Sequence, residues 1–99
     1  MAPVPASVAR QAERLRFDGN TFFKKERLGA AIDAYTEAIT LCPTVAVYWT
    51  NRALCYRKRN EWTRVEEDCR KALELDCSSV KVTCKCLVQQ AMHCGGLPP

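Results

Sequence analysis

The sequence has no apolar run approaching the length of a membrane span. Its opening residues, MAPVPASVAR, lack the apolar core of a secretory signal, so no export signal is expected. Alternating apolar and polar runs are absent, which argues against strands. No glycine-rich phosphate loop is present. His93 is the single histidine and sits six residues from the end, away from any rigid scaffold that a Cys–His nucleophile would need. The excess of one charge sign is also small. Fifteen Lys and Arg against eleven Asp and Glu leave a net charge of +4. That balance suits an acidic ligand and falls short of the basic stripe of a nucleic-acid binder. The basic runs Lys24-Lys25 and Arg57-Lys58-Arg59 fall where helices are expected to end, and there they complement the helix macrodipole.

What remains is a 99-residue chain with 47% hydrophobic and 26% charged residues, enough for one small globular domain. Its cysteines are Cys42, Cys55, Cys69, Cys77, Cys84, Cys86 and Cys94. An odd number without an export signal points to free thiols in a reducing compartment, hence a cytoplasmic protein. The tail gathers Cys77, Cys84, Cys86, His93 and Cys94, which are zinc-ligand types. Structural zinc sites, however, use C-x₂₋₄-C pairs, and this tail offers only C-x-C and H-C. No metal and no cofactor are expected.

The chain repeats itself at a period of 34. Trp49 follows Leu15, Ala53 follows Gly19, Tyr56 follows Phe22, and Trp62 follows Leu28. Val65 follows Ala31, Cys69 follows Tyr35, Ala72 follows Ala38, and Leu75 follows Leu41. This period, with large, small and aromatic residues in fixed order, is the signature of an all-α tetratricopeptide array of helical hairpins. Residues 1–6 are expected to form a flexible start, followed by one repeat over 7–43 and a second over 44–78. A partial third repeat and divergent tail occupy 79–99. Helices are expected over about 7–25, 28–41, 45–59 and 61–75, with Ser7 capping the first and Pro43 stopping the second. Ser78 or Ser79 could cap a fifth, poorly patterned helix from about 79 to 92. Solenoids draw stability from neighbouring repeats, so two and a fraction predict a marginally stable fold.

In such arrays the first helix of each hairpin lines a concave face. Arg16 and Asn20, four apart, share one side of the first helix. Asn51 lies on the equivalent helix of the second hairpin, and Lys81 and Lys85 lie on the candidate fifth. Few acidic residues fall on these faces, so the cations are expected to be unspent on internal pairs. Cations supply charge to a carboxylate ligand, and amides supply donors of fixed geometry. The same pattern also fits an ordinary solvated surface.

The stretches VAVYWTNRALCYRK (45–58) and DCRKALELDCSSVK (68–81) resemble the tetratricopeptide domain of the carboxyl-terminus-of-Hsc-interacting-protein (CHIP) family. Those proteins are co-chaperones and U-box ubiquitin ligases acting in protein quality control. The resemblance covers roughly residues 10–81. It implies a carboxylate clamp for the C-terminal Glu-Glu-Val-Asp of cytosolic heat-shock chaperones. Arg16 matches the basic residue three before a Gly-Asn pair, and Asn20 matches the asparagine of that pair. Asn51 matches the asparagine of Thr-Asn-Arg, and Lys81 the lysine opening the third repeat. Lys85 matches a further basic residue one turn on. Phe23, Val47 and Leu54 match the apolar lining.

After Lys81 the family continues with an alanine, aromatics and a glycine, whereas this chain reads VTCKCLVQQAMHCGGLPP. The resemblance then implies a third repeat lost just past its lysine, as an alternative splice, a frameshift or a mispredicted gene would give. These 99 residues show no U-box, so no ligase activity and no dimerisation are expected of them. The alternative is a shortened ubiquitin-ligase-family product with weak or no peptide binding.

Overall fold

The computed structural model of the chain describes residues 5–78 and Cys84. Four α-helices follow one another: α1 (Ala6–Lys24), α2 (Leu28–Leu41), α3 (Ala46–Lys58) and α4 (Trp62–Leu75). Each packs on the next in the chain, so α1–α2 and α3–α4 form two hairpins stacked through α2 and α3. The described residues contain no strand. The expected fifth helix lies outside the described residues, apart from Cys84 and a helical turn opening at Cys77 and Ser78.

The first helix starts within a residue of its expected bound, but Ser7 does not cap it. Ser7 lies inside α1, whose N-cap residue is Pro5, with φ −58 and no side-chain cap bond. Proline fixes φ near the helical value and lacks an N–H, so it can introduce a helix without a polar cap. The expected end of α2 holds: the helix stops at Leu41, with Cys42 as its last half-turn before Pro43.

Both hairpin turns close in the same way. Glu26 and Asn60 have φ of 59 and 60. The Glu26 N–H donates to the Phe23 carbonyl and the Arg27 N–H to the Phe22 carbonyl. Asn60 to Arg57 and Glu61 to Tyr56 repeat the pattern after α3. This paired bonding satisfies the last carbonyls of each first helix through one left-handed residue.

The core follows the small-and-large pattern of the repeat. Ala12, Ala31, Ala38, Ala53 and Ala72 are fully buried, as are Val65, Cys55 and Cys69. Tyr35 and Tyr56 are buried among them, and Trp49 and Trp62 pack against that core from its edge. Gly19 permits the tightest approach. A Cβ built there would stand 2.5 Å from the Tyr35 ring, so only glycine leaves room for the phenol.

An ion pair within the second hairpin also reaches the first through a hydrogen bond. Arg52 donates twice to the Asp68 carboxylate, at 2.9 and 2.7 Å, and once to Thr36 of α2 at 3.2 Å. Its guanidinium also lies over the rings of Trp49 and Tyr56. Asp68 is 4% exposed, so the carboxylate has exchanged water for a two-pronged partner.

Candidate peptide-binding groove

The helices α1 and α3 lie side by side, with long side chains rather than backbone contact joining them. At one end the Tyr48 hydroxyl donates to Glu13 Oε2. At the other, the Lys58 ammonium stands 5.2 Å from the centre of the Phe23 ring. Both links join residues 35 apart and run in the same direction, so the two helices are parallel. That register sets Arg16 level with Asn51, and Asn20 about one turn further along with Leu54 near it. Phe23 and Leu54 pack against the same buried cluster, and Val47 is 40% exposed.

The two α1 side chains are each held from behind. The Tyr35 hydroxyl donates to Asn20 Oδ1 at 2.5 Å. The carbonyl end of the amide is thereby engaged, and its two N–H donors remain for another acceptor. Burial pushes the Tyr35 phenol up to about 12, so it remains a donor at neutral pH. Arg16 is paired as well, contrary to the expectation from sequence. Its Nη2 lies 2.9 Å from Glu13 Oε1, and its Nε lies 3.2 Å from both carboxylate oxygens. Glu13 precedes Arg16 by three residues, which places both on one side of the helix. Hydrogen bonds from Arg16 and then Tyr48 hold the Glu13 carboxyl below its ordinary value. Burial, then the bond to Glu13, push the Tyr48 phenol up. The Asn51 side chain, half-buried on α3, makes no hydrogen bond among the described residues.

Among the residues expected to form the site, Arg16, Asn20 and Asn51 thus fall on facing sides of parallel helices, with Phe23, Val47 and Leu54 beside them. Lys81 and Lys85 lie outside the described residues. Cavities of about 170 Å³ beside Leu15 and Leu41, and about 330 Å³ beside Trp62, sit elsewhere and include none of these side chains. An extended ligand lying along two helices needs an open channel, not a closed cavity.

The family model for the tetratricopeptide repeat matches residues 46–76. The second such domain of Spaghetti (RPAP3), solved with the HSP90 peptide SRMEEVD, superposes with a TM-score of 0.81 at 31% identity. The match covers 89% of this chain and 80% of that one. The chain belongs to the tetratricopeptide repeat family. The second domain of human RPAP3, in complex with the HSP70 peptide SGPTIEEVD, matches at a TM-score of 0.73 and 30% identity, covering 87% of this chain and 76% of that one. The E3 ubiquitin-protein ligase CHIP of Arabidopsis thaliana is 65% identical over 78 residues. Those residues are 79% of this chain and 28% of the ligase, so the chain spans little more than a quarter of that relative.

Within this tetratricopeptide frame, sequence reasoning missed Glu13, Tyr48 and Lys58. The signal for Glu13 was present in its i, i+3 spacing to Arg16. Tyr48 and Lys58 carried none, because their roles depend on the register between α1 and α3. Arg52, beside Asn51 in the same motif, points the other way and serves the core. The described cysteines Cys42, Cys55, Cys69, Cys77 and Cys84 are free thiols, and only Cys77 is exposed. Desolvation pushes the Cys55 thiol up to about 11, which suits a small apolar filler and not a nucleophile.

Proposed function

We propose that this tetratricopeptide domain is a chaperone adaptor that grips the acidic C-terminal segment, ending in Glu-Glu-Val-Asp, of cytosolic heat-shock chaperones. One observation supports this reading most directly. The α1–α3 register sets a guanidinium level with an unbonded asparagine amide, while a second amide one turn away has its carbonyl already engaged by Tyr35. One cation and two sets of oriented donors suit a terminal carboxylate, and no described group accepts from the N–H donors of the two amides. Arg16, Asn20 and Asn51 are the clamp residues in this proposal, joined by Lys81 and Lys85. Phe23, Val47 and Leu54 receive the apolar side chain of the ligand. The solved relatives were captured with HSP90 and HSP70 peptides that end in the same four residues, which supports the same ligand class here.

The proposed role is binding and not catalysis, in a monomeric cytoplasmic protein linked to the quality-control setting of CHIP-type ligases. The ligase activity named for the Arabidopsis relative is not extended to these residues, which match little more than a quarter of it.

Titration of a fluorescent peptide ending in Glu-Glu-Val-Asp, beside the same peptide amidated at its C-terminus, tests the proposal. Amidation and Asn51→Ala are each expected to weaken binding by about tenfold or more, since each leaves charged or polar partners unmatched. Equal affinity for acid and amide, or no binding by the folded chain, would overturn it.

A further inference from the structure

Arg16 offers Glu13 only one of its edges. Nε and Nη2 both donate to that carboxylate, at 3.2 and 2.9 Å. A guanidinium carries five N–H donors in a rigid plane, so the Nη1 side keeps its full set. Glu13, its side chain 52% exposed, is tied to α3 because its Oε2 accepts the hydroxyl of Tyr48. Tyr48 itself is 2% exposed and anchored in the core. The chain Tyr48–Glu13–Arg16 therefore runs from a buried phenol, through a carboxylate bonded on both sides, to the one proposed clamp cation among the described residues.

We propose that Glu13 is a positioning residue that holds Arg16 by its Nε edge so that the opposite edge receives the ligand carboxylate, and that this arrangement demands arginine at position 16. The inference rests on the carboxylate-gripping reading above and adds to it a negative charge inside the grip. An internal anion beside a clamp cation would ordinarily lower affinity for an anionic ligand. A planar guanidinium avoids that conflict because it can serve two carboxylates at once, on different edges. A lysine ammonium is a single compact charge on a flexible stem. At position 16 it would be drawn to Glu13, which is already bonded to Tyr48, and would serve the ligand poorly.

The test is a double-mutant cycle in the full 99-residue chain, read by titration with the Glu-Glu-Val-Asp peptide. Arg16→Lys is expected to weaken binding by about tenfold. Glu13→Gln keeps an acceptor for Tyr48 and removes the charge that captures the lysine. In the Arg16→Lys background it is expected to restore affinity to within about threefold of the parent. Rescue by removal of a native residue is not what a merely structural role for Glu13 would give. Tyr48→Phe, which deletes one hydroxyl and keeps the ring, is expected to weaken binding by about threefold through the loosened carboxylate. Arg16→Lys binding as tightly as the parent, or losses that simply add in the double variant, would overturn the positioning role while leaving the clamp intact. No binding by the parent chain would overturn both.

Discussion

In the first hairpin Gly19 lies against the ring of Tyr35; the equivalent positions of the second hairpin hold Ala53 and Cys69. One crossing sets the smallest side chain against a large one, the other sets two small ones together. Both crossings are fully packed, with Ala53 and Cys69 at 0% exposure. The difference lies in what the larger residue can reach. Tyr35 extends a hydroxyl to Asn20 and so engages the amide of a proposed clamp residue, whereas Cys69 ends inside the core. The second hairpin instead holds the buried Arg52–Asp68 pair. Its equivalents in the first are Asp18, which is exposed, and Ala34, which is buried, so no such pair forms there. One backbone plan thus puts polar chemistry on the proposed groove side of one repeat and between the helices of the other.

The sharpest way to break this contrast is to give the second hairpin the residue of the first. Asp68→Ala copies Ala34 and strands the Arg52 guanidinium in the core. It is expected to cost about 3 kcal/mol, measured as a lower urea midpoint at unchanged slope. Asp18→Ala, on the exposed surface, should stay within about 0.5 kcal/mol. Similar costs for the two would dissolve the distinction.

Gly19→Ala is next in size. The new methyl would meet a buried aromatic ring, not a flexible chain end, and overpacking of this kind costs about 2 kcal/mol. Adding Tyr35→Cys imports the whole crossing of the second hairpin and should recover part of that loss in thermal melts. Peptide affinity should fall all the same, because Asn20 then lacks the hydroxyl that engages its carbonyl. Recovery of both stability and affinity would show that the phenol serves packing alone.

The smallest effect concerns the two left-handed turn residues. Glu26 and Asn60 share the same φ, but asparagine tolerates that region far better than glutamate does. Glu26→Gly should stabilise the chain by about 1 kcal/mol, and Asn60→Gly by no more than a few tenths. Equal gains would mean that the two turns are under equal strain.

Most of the fold was legible in the sequence because the period of 34 fixes helix lengths, turns and buried small residues together. All four helices lie within a residue of their expected bounds, although Pro5, not Ser7, opens α1. The site was legible only as residue types. Asn51 and Arg52 are neighbours in one motif, yet the Asn51 amide is unbonded among the described residues and Arg52 crosses to Asp68. Their division follows from helix rotation of about 100° per residue, which a motif does not display. Glu13 was missed because its importance comes from Tyr48, 35 residues away.

The spacing of those cross-links has a consequence for how such a grip can arise. Duplicated residues lie 34 apart, but residues that face each other across α1 and α3 lie 35 apart. Each helix looks back with one flank and forward with another. The copy of Arg16 is therefore Thr50, which is buried and bonded to its own helix, and not Asn51, which stands opposite. Copying the hairpin builds a second shelf without copying what rests on it. A surface assembled in this way is lopsided from its first duplication, and it is suited to a ligand whose two ends are chemically unlike.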